Sequence, residues 1–274
     1  MEMVVWGYGL IEAPRVTATG QIYFSDVFNG GVYCWSPDNT VETIIPKRRG
    51  IGGLALHQNG GIVVTGKTVI HQTPAETRTL LALDDVVGFN DLMTDRAGRV
   101  YVSSLRSSAL EMNERIPGDT WRIEQDGQKT LIYDNVSFPN GIGFSPNERI
   151  LYQSNYDAGV ILAHDLADDG RWVNRRVFAS VPRGNPDGLA VDDQGQVWVA
   201  LGSGGGLACF QPDGQIAQVL DIPATFVASL CFGGDDHRDL YIATAGNTVS
   251  PERGGVLFRT RSDVPGLIAP LASV

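Results

Sequence analysis

Apolar and polar residues alternate along short segments of this chain, as in QIYFSDV (residues 21–27), RVYVSSL (99–105) and QVWVAL (196–201). A period of two puts successive side chains on opposite faces of an extended strand, so each segment predicts a β-strand with one buried face. Thirty-three glycines and fourteen prolines punctuate these segments, and both residues mark turns rather than element interiors. Hardly any window sustains the period of an amphipathic helix. The pattern predicts an all-β chain.

An internal repeat then decides the architecture. Starting at Asp187, a glycine (Gly195) follows eight residues later and an apolar strand start (Trp198) eleven later. The same two offsets run from Glu12 to Gly20 and Tyr23, from Gly52 to Gly60 and Val63, and from Asn90 to Gly98 and Tyr101. From Asn140 and Ser229 the apolar start persists at Leu151 and Leu240, while Glu148 and His237 stand where the turn glycine would be. The anchors at 12, 52, 90, 140, 187 and 229 are 40, 38, 50, 47 and 42 residues apart. A unit of that length matches the four-stranded blade of a β-propeller, in which radial repetition leaves only short, protected sheet edges. The prediction is one domain over residues 1–274, a six-bladed β-propeller with four-stranded antiparallel blades around a central channel. A two-sheet sandwich offers no reason for six anchors in one register. MVVWGYG (3–9) precedes the first repeat and is expected to pair with the last blade near GVLFRTRS (255–262), closing the ring.

Composition narrows the partners. At 274 residues and 43% hydrophobic content the chain can bury a substantial core. A net charge of −10 with no Lys/Arg block argues against a nucleic-acid surface, which needs clustered cations. No run approaches the roughly 18 apolar residues of a membrane span, and the N-terminus has no charged region followed by a long apolar stretch. A cytoplasmic protein that meets small molecules, as a monomer or weak homodimer, is the expectation. Cys34, Cys209 and Cys231 sit far apart in strand-like contexts and are expected to be buried free thiols rather than disulfides or metal ligands. His57, His71, His164 and His237 lack ligand spacing, and neither a nucleophile elbow nor a phosphate loop is present.

In a propeller, equivalent positions of successive blades are related by rotation about the channel, so the anchors form one ring. Glu12, Gly52, Asn90, Asn140, Asp187 and Ser229 include five oxygen-bearing side chains and no apolar one, unlike a packing layer. Taken singly, FND, PNG and PDG are turn-forming combinations, and QPDG at 211–214 reads as only a hairpin turn. Glu12 is a poor turn residue, and its presence in register makes the set informative. Two carboxylates converging on a narrow channel repel and are expensive to desolvate unless a cation lies between them. Carboxylate and amide oxygens are hard ligands that suit Ca²⁺, Mg²⁺ or Mn²⁺ better than Zn²⁺, with Ca²⁺ favoured for its flexible coordination.

IEAPRV, GGLALHQNGG, GFNDLMTDRAGRVYV, FPNGIGFSPNERILYQSN and NPDGLAVDDQGQVWVALGSGGG, in that order, resemble the senescence marker protein/gluconolactonase (regucalcin-like) family of six-bladed propellers. Its relatives include diisopropylfluorophosphatase and, more distantly, the paraoxonases. The resemblance runs from about residue 9 to residue 260. It implies one divalent ion held by Glu12, Asn140 and Asp187, with Asn90 in substrate binding or the wider metal shell. It also implies a substrate-binding glutamate in the loop SSALEMNERIPGDTW, which offers Glu111 and Glu114, the spacing back from Trp121 favouring Glu114 slightly. Ser229 completes the ring as a further substrate-binding candidate. Many sugar-lactone hydrolases of the family carry an arginine two residues before the FND asparagine, where this chain has Gly88; its loss speaks against a gluconolactone-like substrate and permits a less polar one.

The leading expectation is metal-dependent hydrolysis of a lactone or related ester, with the ion polarising the carbonyl. Asp187 is the candidate base; the alternative is a metal-bound hydroxide that Asp187 only orients. A phosphotriester hydrolase is the nearest rival, and a non-catalytic ligand-binding propeller with a structural ion is the rival of another class. No fingerprint supports a nicotinamide- or quinone-dependent oxidoreductase. The pocket walls are expected from loops near residues 68–80, 105–118, 154–160 and 245–253.

Overall fold

The computed structural model describes residues 1–108 and 115–274. The alternating segments form six four-stranded antiparallel sheets arranged as the blades of a propeller. Their innermost strands, one per repeat, are Ile11–Val16, Leu54–Leu56, Gly88–Thr94, Pro139–Phe144, Leu189–Val191 and Phe226–Gly233. The N-terminal strand Glu2–Tyr8 is the outermost strand of the sixth blade, paired antiparallel with Gly255–Arg261, Trp6 opposite Val256. The first and last strands therefore share one sheet, and the ring closes by backbone hydrogen bonds.

The eight-residue offset of the repeat has a backbone cause. Gly20, Gly60, Gly98 and Gly195 all have φ between 78° and 83°, in the turn that joins the first strand of a blade to the second. Glu148 (φ 54°) and His237 (φ 58°) hold the same left-handed geometry without glycine, at a penalty of about 1 kcal/mol each. The turn conformation is kept in all six blades even where the residue type is not.

Apolar cores lie between neighbouring blades. Trp198, Leu207, Leu230, Phe232 and Ile242 fill the space between the fifth and sixth, and Val63, Phe89, Leu92 and Val102 that between the second and third. Outer strands such as Ile216–Asp221 are largely exposed. All three cysteines are buried and free. No helix among the described residues is long and apolar enough to cross a membrane.

Each inner strand begins at one end of the channel, the anchor end, and runs toward the other. The C-terminal segment crosses that far end: Gly266 N–H donates to His237, Leu267 to Val191, Ala272 to Leu56 and Ser273 to Gly98. A cavity of about 120 Å³ remains between this segment and the anchors, bordered by Arg15, Met93, Phe144, Cys231 and Ile268.

Candidate metal centre

The register places every anchor within the first four residues of an inner strand or two residues ahead of it, and irregular backbone aims the side chains. Pairing slips between Glu12 and Arg15, Phe89 and Leu92, Pro139 and Ile142, and Val227 and Ser229. Such bulges bend a strand and redirect its side chains, here at the anchor in four blades. In the second and fifth blades Gly52 and Asp187 lie just ahead of the regular strand. At the first bulge Ala13 takes φ 51°, and its N–H donates to Glu12 Oε2 at 3.1 Å.

Neighbouring anchors touch. Asn90 Nδ2 donates to the carbonyl of Pro139 at 3.1 Å, and its Oδ1 lies 2.6 Å from where a Cβ on Gly52 would stand. Only glycine at 52 leaves room for that amide. A Cβ on Gly141 would meet the Asp187 carbonyl at 2.5 Å, and one on Gly188 would meet Ser229 Oγ at 2.5 Å. The glycines after Asn140 and Asp187 thus let the inner strands close to backbone contact. Glu12, Asn140, Asp187 and Ser229 are buried, and Asn90 is half-buried.

The electrostatics follow from that crowding. Burial, then Asp187 and Asp91, hold the Glu12 carboxyl well above the usual carboxylate range, against the pull of the Ala13 N–H and Arg15. Burial and then Asp91 raise Asp187, opposed by the Asn140 side chain and the Gly188 N–H. Asp91, which the sequence reading did not single out, is pushed up to about 6 by burial, with Arg15 and the N–H groups of Leu92 and Ile142 opposing. Tyr156 is pushed up to about 12, by burial first and then by the charge of Asp187. The aromatic pair Phe138–Tyr156, with Arg115 over the Phe138 ring at 4.3 Å, flanks this side of the ring.

These donors fit a hard cation. No three His, Cys, Asp or Glu side chains among the described residues converge as a ligand group. Glu12 and Asp187 therefore need a neutral oxygen such as the Asn140 amide and water to complete a shell. Asp91 is engaged otherwise: its Oδ1 accepts from Leu92 N–H at 2.7 Å and faces Arg15 Nη2 at 4.0 Å.

Glu12, Gly52, Asn90, Asn140, Asp187 and Ser229 thus come together at one end of the channel. Glu111 and Glu114 lie outside the described residues. Gly88 abuts the second blade, where a Cβ would stand 3.0 Å from the Gly66 carbonyl. One expected wall is corrected: residues 68–80 form the strands Val69–Gln72 and Thr77–Leu81, and their turn points to the far end of the channel. Connections alternate between ends from strand to strand, so a third-to-fourth-strand turn cannot reach the anchors. Asp91 and Arg15 were missed because both read as ordinary strand residues; a signal existed in the register. The residues after the anchors are Ala13, Gly53, Asp91, Gly141, Gly188 and Leu230, and Asp91 is the polar exception.

Fold and site together define a six-bladed propeller with a ring of acidic and amide side chains at one channel mouth. The chain belongs to the SMP-30/Gluconolactonase/LRE-like family, whose model matches residues 10–246. It is 30% identical over 278 aligned residues to the 6-deoxy-6-sulfogluconolactonase of Pseudomonas putida, covering 95% of this chain and 94% of the relative. It is 27% identical to the pentonolactonase XacC of Haloferax volcanii, over 82% of this chain and 78% of that one. Among solved structures, a calcium-binding protein, regucalcin, from Agrobacterium tumefaciens superposes with a TM-score of 0.88 at 17% identity, covering 100% of this chain and 97% of that chain, a likeness of fold.

Proposed function

We propose that the protein is a divalent-metal-dependent hydrolase of lactones or related carboxylic esters, acting at the anchor end of the channel. The observation that carries this reading is the pair of buried carboxylates, Glu12 and Asp187, brought from separate blades to one mouth with Asn140. The named activities of the Pseudomonas putida and Haloferax volcanii relatives support lactones as the substrate class. The calcium-binding description of the Agrobacterium tumefaciens neighbour supports Ca²⁺ as the ion.

Glu12, Asn140 and Asp187 would hold the ion, which supplies Lewis acidity to the ester carbonyl. Asp187 has a second task, to orient a water molecule and accept its proton as the carbonyl carbon is attacked. The Asn140 side chain lies beside Asp187 and favours its ionised form. Tyr156 stays protonated at neutral pH beside Asp187 and can donate a hydrogen bond to substrate. Asn90, held by the Pro139 carbonyl, and Ser229 present polar groups on either side of the ion's ligands. The absence of a side chain at Gly88 leaves that wall without a cation to grip a polyhydroxylated substrate.

The test is hydrolysis of a panel of lactones and organophosphate triesters at saturating Ca²⁺, repeated after chelation. Lactone turnover that disappears with chelator and returns with Ca²⁺ is expected. Triester turnover alone would replace the substrate class, and undiminished rates in chelator would remove the metal from the chemistry. A calcium-dependent rise in melting temperature with no turnover would make this a binding propeller.

A further inference from the structure

Two charged residues break the pattern of the channel wall. Three residues past each anchor the chain has Arg15, Ala55, Met93, Gly143, Ala190 and Phe232, so Arg15 is the one charged member of that layer. One residue past each anchor, Asp91 is the one charged member. The two face each other across the channel wall, Nη2 to Oδ1 at 4.0 Å, and each side chain is 7% exposed.

We propose that Arg15 and Asp91 form a paired counter-charge that sets the net charge of the ring, so that the channel is matched to a divalent ion. The proposal rests on the metal reading above. With Glu12, Asp91 and Asp187 ionised and Arg15 protonated, the buried cluster carries two uncompensated negative charges, and a divalent ion makes it neutral. Neutrality matters because residual charge in a buried site is costly.

Arg15 is built for this role. A guanidinium stays protonated at any ordinary pH, and its other bonds go to neutral carbonyls: Nη1 to Pro14 at 2.8 Å and Nη2 to Leu92 at 3.0 Å. Its Nε has no partner and its charge faces Asp91 and Glu12. Asp91 Oδ1 accepts from the N–H of Leu92 and faces the Arg15 guanidinium, so that oxygen is committed to the wall. The bond to Leu92 also staples the first blade to the third, a role that a purely structural arginine would share.

A double-mutant cycle separates charge from staple, with the Ca²⁺ dissociation constant measured by calorimetry and metal-free melting curves taken on each protein. Asp91→Asn leaves Arg15 uncompensated and the ring one negative charge short, so Ca²⁺ binding should weaken by about tenfold or more. Arg15→Met with Asp91→Asn restores two uncompensated charges and leaves no buried ion unpaired. Its affinity should return to within about threefold of the wild type, on the scale of one such charge. Arg15→Lys keeps the charge and should bind Ca²⁺ like the wild type. A double variant that melts cooperatively yet binds as weakly as Asp91→Asn would overturn the proposal, and so would a loss of affinity in a folded Arg15→Lys. Failure of the wild type to take up Ca²⁺ would instead strike the metal reading itself.

Discussion

Substituting Gly141 by alanine tests the closeness of the inner strands on which the ring depends. Gly141 follows Asn140, and a Cβ there would stand 2.5 Å from the Asp187 carbonyl oxygen and 2.6 Å from the Leu189 nitrogen. Both are backbone atoms of the fifth blade and cannot rotate away, so the blades must part by roughly an ångström to restore ordinary contact. Such overpacking costs about 1–3 kcal/mol. The φ of Gly141 is not in the left-handed region, so alanine also stiffens the unfolded chain, a gain of about 0.4–1 kcal/mol. The net loss is about 1–2 kcal/mol, or a melting temperature roughly 2–4 °C lower for a domain of this size. Gly143→Ala is the control, because its Cβ meets the Leu189 Cδ1 methyl, the end of a side chain that can turn. It should lose less than about 1 kcal/mol. Thermal melts by circular dichroism, with chelator and with Ca²⁺, read both quantities. Gly141→Ala should also blunt the calcium-dependent rise, since the shift falls between Asn140 and Asp187, and Gly143→Ala should keep it. If the two variants melt together with equal calcium responses, the inner strands do not meet there and the argument for the ring fails.

Asp187→Asn should fold, melt higher than wild type in chelator because a repelling carboxylate is gone, and lose at least about 100-fold in kcat, the usual reach of a general base; wild-type turnover would remove Asp187 from the chemistry. In chelator, stability should fall as pH rises from about 5 to 8, because Glu12, Asp91 and Asp187 have folded-state pKa values above their unfolded ones and hold protons the unfolded chain has released. Ca²⁺ should therefore raise the melting temperature more at pH 8 than at pH 5, and an equal rise at both would contradict the assigned charges. Gly88→Arg should cost about 1–2 kcal/mol by pressing on the Gly66 carbonyl, and should shift kcat/KM toward polyhydroxylated lactones; an unchanged substrate ratio would show that position 88 does not face the substrate.

The blade count, strand order and six anchors were legible in the linear chain because a propeller turns sequence period into rotation. One register of strand starts and left-handed turns suffices to put Glu12, Asn90, Asn140, Asp187 and Ser229 on one ring. The closing strand was legible too, from apolar residues left over before the first repeat. The Arg15–Asp91 pair was not, because the bulges at Glu12–Arg15 and Phe89–Leu92 break the two-residue alternation and reassign which side chain faces which neighbour. Nor was the C-terminal segment across the far end of the channel, since its contacts with Val191, Leu56 and Gly98 join positions distant in sequence and follow no period. Local patterning thus decides which residues are strands and which lie at equivalent places. The charges that meet in the channel wall are decided only when the blades close against one another, because that contact depends on backbone irregularities and on glycines whose neighbours leave no room for a Cβ.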